Sequence, residues 1–173
     1  PRGDTTYQVN DQVYFSVPSY NMKDLYPIIG KIKFDIKNVI ILGGSSIGEK
    51  TARNLCQEGF NIKLIEKDKE KAESLAEELD NVLVINGDGT DLELLEEENI
   101  RETDAFIAVT GNSETNIMSC LVAKSKGVKK TIALVENMDY IEISQTIGIE
   151  SLINKKLIAA SSILRHIRKG EIL

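Results

Sequence analysis

The chain has 173 residues, room for one ordinary domain or a domain plus a fragment of another, and its 42% apolar content is enough for a proper core. Lysine and arginine total 21 against 27 acidic residues, a formal net charge of -6; this argues against a nucleic-acid binder, because the phosphate backbone selects a basic face. No apolar run approaches the ~20 residues of a membrane span and no secretory signal is visible, so direct membrane insertion is not expected.

The first 36 residues differ from the rest. They open Pro1-Arg2-Gly3 rather than with Met, which reads as a piece cut from something longer. Gln12 to Val17 is β-rich, Pro18-Ser19-Tyr20-Asn21 is a turn signal, and Met22 to Ile29 is a short helix candidate limited by Pro27. A strand, a turn and a short helix cannot form a core alone. Residues 1–36 are therefore expected to be the tail of a preceding small α+β domain, with Gly30 to Lys37 as linker, and residues 37–173 a domain of their own.

Val39 to Leu42 is an apolar run stopped by Gly43-Gly44-Ser45-Ser46, and Gly48 opens a helical pattern reaching Gln57. Strand, glycine turn and helix begin a βαβ nucleotide-binding unit. Gly43 lets the chain turn where a side chain would clash, and the turn aims free N–H groups of the helix N-terminus outward, where a phosphate can sit. Gly48 lets the helix approach the strand closely. The dinucleotide pattern G-x-G-x-x-G is broken at its middle glycine by Ser45, whose hydroxyl could donate to a phosphate oxygen or hold the phosphate off. Glu66 ends the next apolar strand, Ile62 to Ile65, close to the ~20-residue offset at which an acid meets the ribose hydroxyls. An acid there opposes a 2′-phosphate, so NAD(H), ADP or ATP fits better than NADP. A glycine turn beside a surface glutamate is the plainer reading of the same residues.

Alternation continues downstream. Ala72, Leu75, Ala76 and Leu79 share one face of a helix starting near Asp68. Val82 to Ile85 is a third strand, followed by Gly87-Asp88-Gly89, and Thr90 with Glu93 has the capping-box form for a short helix through Glu97. Ala105 to Val109 is a fourth strand ending at Thr110-Gly111-Asn112, and the helix after it carries Ile117, Leu121 and Val122 and stops at Gly127. Thr131 to Val135, a helix from Tyr140 to Ile147 closed by Gly148, and a short strand from Glu150 to Ile153 complete the series. Such alternation predicts a doubly wound, mostly parallel Rossmann sheet of about six strands with helices on both faces. Ligands of such sheets sit at the C-terminal strand ends, where Gly43 to Ser46, Glu66, Asp88 with its flanking glycines, and Thr110 with Gly111 would converge. Asp88 could accept from an adenine amino group or a ribose, or could equally be a turn aspartate bonded to its own backbone.

A last helix from about Asn154 to Lys169 carries an apolar stripe of Leu157, Ala160, Ser161, Leu164 and Ile167 among basic residues. It reads equally as a helix docked on its own sheet or as an arm packing on a partner subunit. Cys56 and Cys120 lie in helical patterns far apart and read as buried thiols of a reduced protein. Catalytic parts are scarce. His166 is the only histidine and lies in the basic last helix, no tyrosine is followed four residues later by lysine, and no cluster has metal-ligand spacing. The glycine loop lacks the Gly-Lys-Ser/Thr ending of a P-loop.

The stretches G-G-S-S-I-G at Gly43–Gly48, L-I-E-K-D at Leu64–Asp68, V-I-N-G-D-G-T-D at Val84–Asp91 and A-F-I-A-V-T-G-N at Ala105–Asn112 resemble the RCK/KTN nucleotide-binding domains, as do Lys129–Asn137 and Ala159–Arg168. The resemblance covers residues 38–170. It implies a cytoplasmic regulator at the inner face of the membrane, not an enzyme, bound to a membrane potassium transporter. It also implies NAD(H) or ADP/ATP with Gly43 and Gly48 at the phosphates, Glu66 at the ribose, and Asp88 and Thr110 around the adenosine, with Gly44, Ser45, Ser46, Ile47, Lys67, Gly89 and Gly111 completing the binding residues and Ser45 departing from the family's glycine pattern. The last helix would be of the crossover type, reaching a second subunit to make a homodimer or a larger ring. Full-length members carry tandem Rossmann and small ligand-sensing domains, and Val13 to Gly30 resembles the end of the small one. Two other readings stay open: a structural Rossmann copy that dimerises without binding nucleotide, and a fragment of an NAD-dependent oxidoreductase. Binding of no nucleotide would favour the first, and hydride transfer by a longer chain the second.

Overall fold

The structure is a computed structural model that describes residue 6 and residues 35–169 except 148 and 150; the fragment expected in residues 1–36 and the helix stop at Gly148 lie outside the described residues. Six strands form one sheet: β1 Asn38–Leu42, β2 Asn61–Glu66, β3 Val82–Asn86, β4 Ala105–Ala108, β5 Lys130–Leu134 and β6 Ser151–Ile153. Their spatial order is β3-β2-β1-β4-β5-β6, and every pairing is parallel. The helices between them are α1 Ser46–Gln57, α2 Lys69–Glu78, α3 Leu92–Glu97, a 3-10 turn Ile100–Glu102, α4 Ser113–Ser125, α5 Asp139–Thr146 and α6 Lys155–Lys169.

Parallel strands buried on both faces read as continuous apolar runs, and β1 divides its run between two cores. Val39 and Ile41 face Ala52 of α1 and Leu75 of α2, with Leu79 just past the α2 end. Ile40 and Leu42 face Leu95 of α3, Ile100, and Ile117, Cys120 and Ala123 of α4. The period of two along the strand thus places one apolar set on each side of the sheet.

Helix ends follow local chemistry, with one departure. Asp68 caps α2 by accepting from Lys71 N–H at 2.9 Å, and Gly127 takes the left-handed conformation after α4 at φ 98°. The capping box expected at Thr90 does not form. Asp91 caps α3, accepting from Glu93 N–H at 3.0 Å, while the Thr90 hydroxyl donates to Asp88 Oδ1 at 2.7 Å. A carboxylate one residue nearer the helix competes better for its free N–H groups than a hydroxyl already held by another acid.

The last helix is not docked along its length. From Lys155 to Ile167 every side chain except Ser162 is exposed, including Leu157, Ile158, Ile163, Leu164 and Ile167. Of the two arrangements open from sequence, close docking on its own sheet is not seen among the described residues. Cys120 is buried as expected, but Cys56 is only partly so, and both are free thiols. No described helix is long and apolar enough to cross a membrane.

Candidate functional site

The chain adds β2 and β3 on one side of β1 and then crosses to place β4 on the other. Loops leaving β1 and β4 therefore diverge, opening a crevice at the switch point. Its volume is about 500 Å³, and its lining includes Gly43, Ser45, Glu66, Lys67, Asp88, Gly89, Thr110 and Gly111 of the expected residues. Gly44, Ser46, Ile47 and Gly48 are not among its lining residues.

Gly43 has φ 101°, and a Cβ on it would lie 2.9 Å from Thr110 N, so the turn closes against the β4 tip only without a side chain. A Cβ on Gly48 would overlap the Gly43 carbonyl oxygen and approach Val109 Cγ2 to 3.3 Å. Close packing of α1 on the turn is the role of Gly48. Ile47 turns toward the Val39 and Ile41 core. Ser46, the first residue of α1, is exposed, and its N–H, like that of Ile47, has no partner within the helix to accept it.

Ser45 is bonded within the protein. Its hydroxyl donates to Val109 O at 3.0 Å and accepts from Gly48 N–H at 3.5 Å. The side chain is turned inward as the α1 cap and ties the loop to the β4 end. Its proton is spent on the protein.

Glu66 stands at the β2 tip with a side chain 12% exposed. Its Oε2 accepts from Gly44 N–H at 2.8 Å and pairs with Lys71 Nζ at 3.2 Å; its Oε1 accepts from Asp68 N–H at 3.0 Å. Burial alone would raise its carboxyl pKa, but those two N–H groups and the Lys71 ammonium together hold it below the usual carboxylate range. Lys71, five residues past Glu66 on α2, lines the crevice and was not anticipated; a lysine one turn into the helix after such an acid is the signal available in sequence.

Asp88, at the β3 tip, accepts on Oδ2 from Lys67 Nζ at 2.7 Å and on Oδ1 from Thr90 N–H at 3.0 Å and the Thr90 hydroxyl. The Lys67 ammonium and the Thr90 donors lower its carboxyl to about 2. Gly89 packs under this loop, where a Cβ would overlap Leu42.

The β4 tip is built by a residue that sequence reasoning missed. Asn116 of α4 is 1% exposed. Its Oδ1 accepts from Thr110 N–H at 2.9 Å and from the Thr110 hydroxyl at 2.7 Å, and its Nδ2 donates to Thr110 O at 3.1 Å and Leu134 O at 2.9 Å. One amide thereby fixes the loop after β4 to the end of β5. Its sequence signal is an asparagine beside Ile117, where the helix turns inward. Asn112 caps the same helix, accepting from Thr115 N–H at 2.6 Å.

A parallel sheet in this order, with a glycine turn and acids at the strand tips, defines a Rossmann-like α/β fold. A family model described as the TrkA-N domain matches residues 39–155, and the chain belongs to that family. Over its 173 residues it is 36% identical to the Trk system potassium uptake protein TrkA of Vibrio alginolyticus and spans 38% of that protein's length. The TrkA-N domain of the inner membrane protein ybaL from Escherichia coli superposes with TM-score 0.68 at 15% identity, covering 77% of this chain and 98% of that one. The GsuK channel bound to NAD superposes at 0.59 and 19% identity, covering 78% and 26%, and GsuK bound to ADP at 0.60 and 19%, covering 78% and 38%.

Proposed function

We propose that this chain is the nucleotide-binding part of a cytoplasmic regulatory subunit of a potassium uptake system, and that NAD(H), or else ADP or ATP, occupies the crevice at the strand tips. The observation that carries the reading is the convergence of Glu66 and Asp88 on one crevice beside the Gly43 turn. Ribose hydroxyls donate to Glu66, phosphates lie against the turn from Gly43 to Gly48 with the Ser46 and Ile47 N–H groups, and the adenosine lies among Lys67, Asp88, Gly89, Thr110 and Gly111. NAD and ADP in the solved structures of GsuK support this class of ligand. The name of the Vibrio alginolyticus relative supports potassium uptake as the process.

The exposed apolar stripe of α6 packs on a second copy of the chain, and the dimer, alone or in a larger ring, sits under its membrane transporter at the inner face of the membrane. Residues 1–36 are the tail of a preceding ligand-sensing domain. Nucleotide then acts by differential affinity for two arrangements of the dimer, and equal affinity for both would give no regulation. No residue is assigned a catalytic role.

Titration with NADH, NAD, ADP and ATP by calorimetry, beside Glu66→Ala, tests the site. Saturable binding weakened by the variant is expected. A structural copy that dimerises without ligand is favoured by one observation, that Glu66 Oε2 already takes the Gly44 N–H and the Lys71 ammonium. Absence of binding to all four nucleotides, with a dimer that Leu164→Glu dissociates, would decide for that second reading.

A further inference from the structure

Resting on the nucleotide reading, one side chain of the crevice has a role not yet explained. Lys67 is 77% exposed, yet its Nζ lies 2.7 Å from Asp88 Oδ2, on the neighbouring strand tip. The backbones of these tips are tied together. Glu66 pairs in register with Asn86, Gly87 N–H donates to Glu66 O at 3.0 Å, and Asn86 Nδ2 donates to Glu66 O and Lys67 O at 3.1 Å each. Only the side chains of Lys67 and Asp88 are left free to part.

The two acids of the crevice differ in what stands beside their open acceptor site. A carboxylate offers about four lone-pair sites. Glu66 uses one on Oε1, for Asp68 N–H, and keeps another there for a ribose hydroxyl. Asp88 Oδ1 is filled by the two Thr90 donors. The one remaining lone-pair site of Asp88 is on Oδ2, beside the site that the lysine ammonium takes, whereas the open site of Glu66 has a backbone N–H as its neighbour. Whatever docks on Asp88 meets the Lys67 ammonium at that oxygen.

We propose that Lys67 sets the affinity of this crevice for adenine-type bases: paired with Asp88 it crowds the adenosine end with a cation at Oδ2, and its swinging out frees that oxygen for a base bearing an exocyclic amino group. Apparent affinity is the intrinsic affinity scaled by the open fraction. An exposed ion pair is weak and is screened by salt, so the closed form costs only a few-fold in affinity and that cost fades as ionic strength rises. The lysine is then a gate on base binding that leaves the ribose acceptor untouched.

An uncharged probe isolates the gate from phosphate electrostatics. Adenosine binding is measured by NMR titration between about 0.01 M and about 1 M salt, where the Debye length falls from about 30 to about 3 Å. In the unaltered protein affinity should tighten about two- to fivefold across that range, the scale of an exposed ion pair. Lys67→Met should bind that much more tightly already at low salt and show no salt dependence, and Lys67→Arg, which keeps the pair, should behave as the unaltered protein. Inosine, with an acceptor in place of the amino group, should gain nothing from Lys67→Met. Adenosine binding that Lys67→Met leaves unchanged or weakens, while Glu66→Ala still abolishes it, overturns the gate and leaves the nucleotide reading standing. No binding of adenosine, ADP or NADH to any of these proteins overturns both.

Discussion

Asn116→Ala should be among the most damaging single substitutions in the sheet's upper half. The amide makes four hydrogen bonds, three of them to main-chain groups of Thr110 and Leu134. Leu134 is 2% exposed, so its carbonyl has little access to water once the amide is gone. The Thr110 hydroxyl keeps an acceptor, since it also lies 3.2 Å from Asn112 O. That leaves chiefly Thr110 N–H and Leu134 C=O stranded. At about 1–3 kcal/mol for each buried group left unsatisfied, the loss comes to about 2–6 kcal/mol, and partial entry of water favours about 3–4 kcal/mol. Urea unfolding followed by circular dichroism measures it, with Asn112→Ala as the control; that residue is an exposed cap whose loss costs about 1 kcal/mol. If Asn116→Ala costs no more than the cap, the amide is not what holds the loops after β4 and β5 together, and this account of the β4 tip is wrong.

Two glycines make a second contrast. Gly48→Ala, whose Cβ overlaps Gly43 O, should destabilise by about 1–3 kcal/mol or force α1 off the turn, whereas Gly111→Ala, with open space around its Cβ, should stay within about 0.5 kcal/mol in the same unfolding assay. Acid should erase what the Lys67–Asp88 pair contributes. The folded carboxyl lies at about 2, below its unfolded value, so the contribution is complete above the unfolded value and disappears as pH falls toward 2. The stability gap between the unaltered protein and Asp88→Asn should therefore narrow over that window, and a gap that widens instead would contradict the sign. Burial pushes the Cys120 thiol up to about 12, so iodoacetamide should label Cys56 in the native protein and reach Cys120 only on unfolding, as mass spectrometry of timed samples can read.

Much of the architecture was legible because it is written in local periodicity. The apolar runs at Val39–Leu42, Ile62–Ile65 and Ala105–Val109 are continuous because a parallel strand is covered on both faces, and the helices between them carry their apolar residues at helical spacing. The glycine turn could be read for a similar reason. Gly43 and Gly48 stand where any Cβ meets backbone, a constraint local enough to show as a spacing. Short-range chemistry was misjudged at Thr90, whose hydroxyl is held by Asp88 while the Asp91 carboxylate, one residue nearer the helix, takes the free Glu93 N–H.

What the amino-acid sequence determined by itself is the order and kind of the elements, from Asn38 onward, and the residues carried to the strand tips. Tertiary structure alone decided how those residues are engaged, because the partners are set by how separate strands, loops and helices pack together. Ser45 finds its acceptor in Val109, Asp88 its cation in Lys67, and Thr110 its clamp in Asn116, itself bonded across to Leu134. It also decided that the large apolar side chains of α6 are left exposed. An amphipathic pattern fixes which face of a helix seeks cover, but not which surface supplies it.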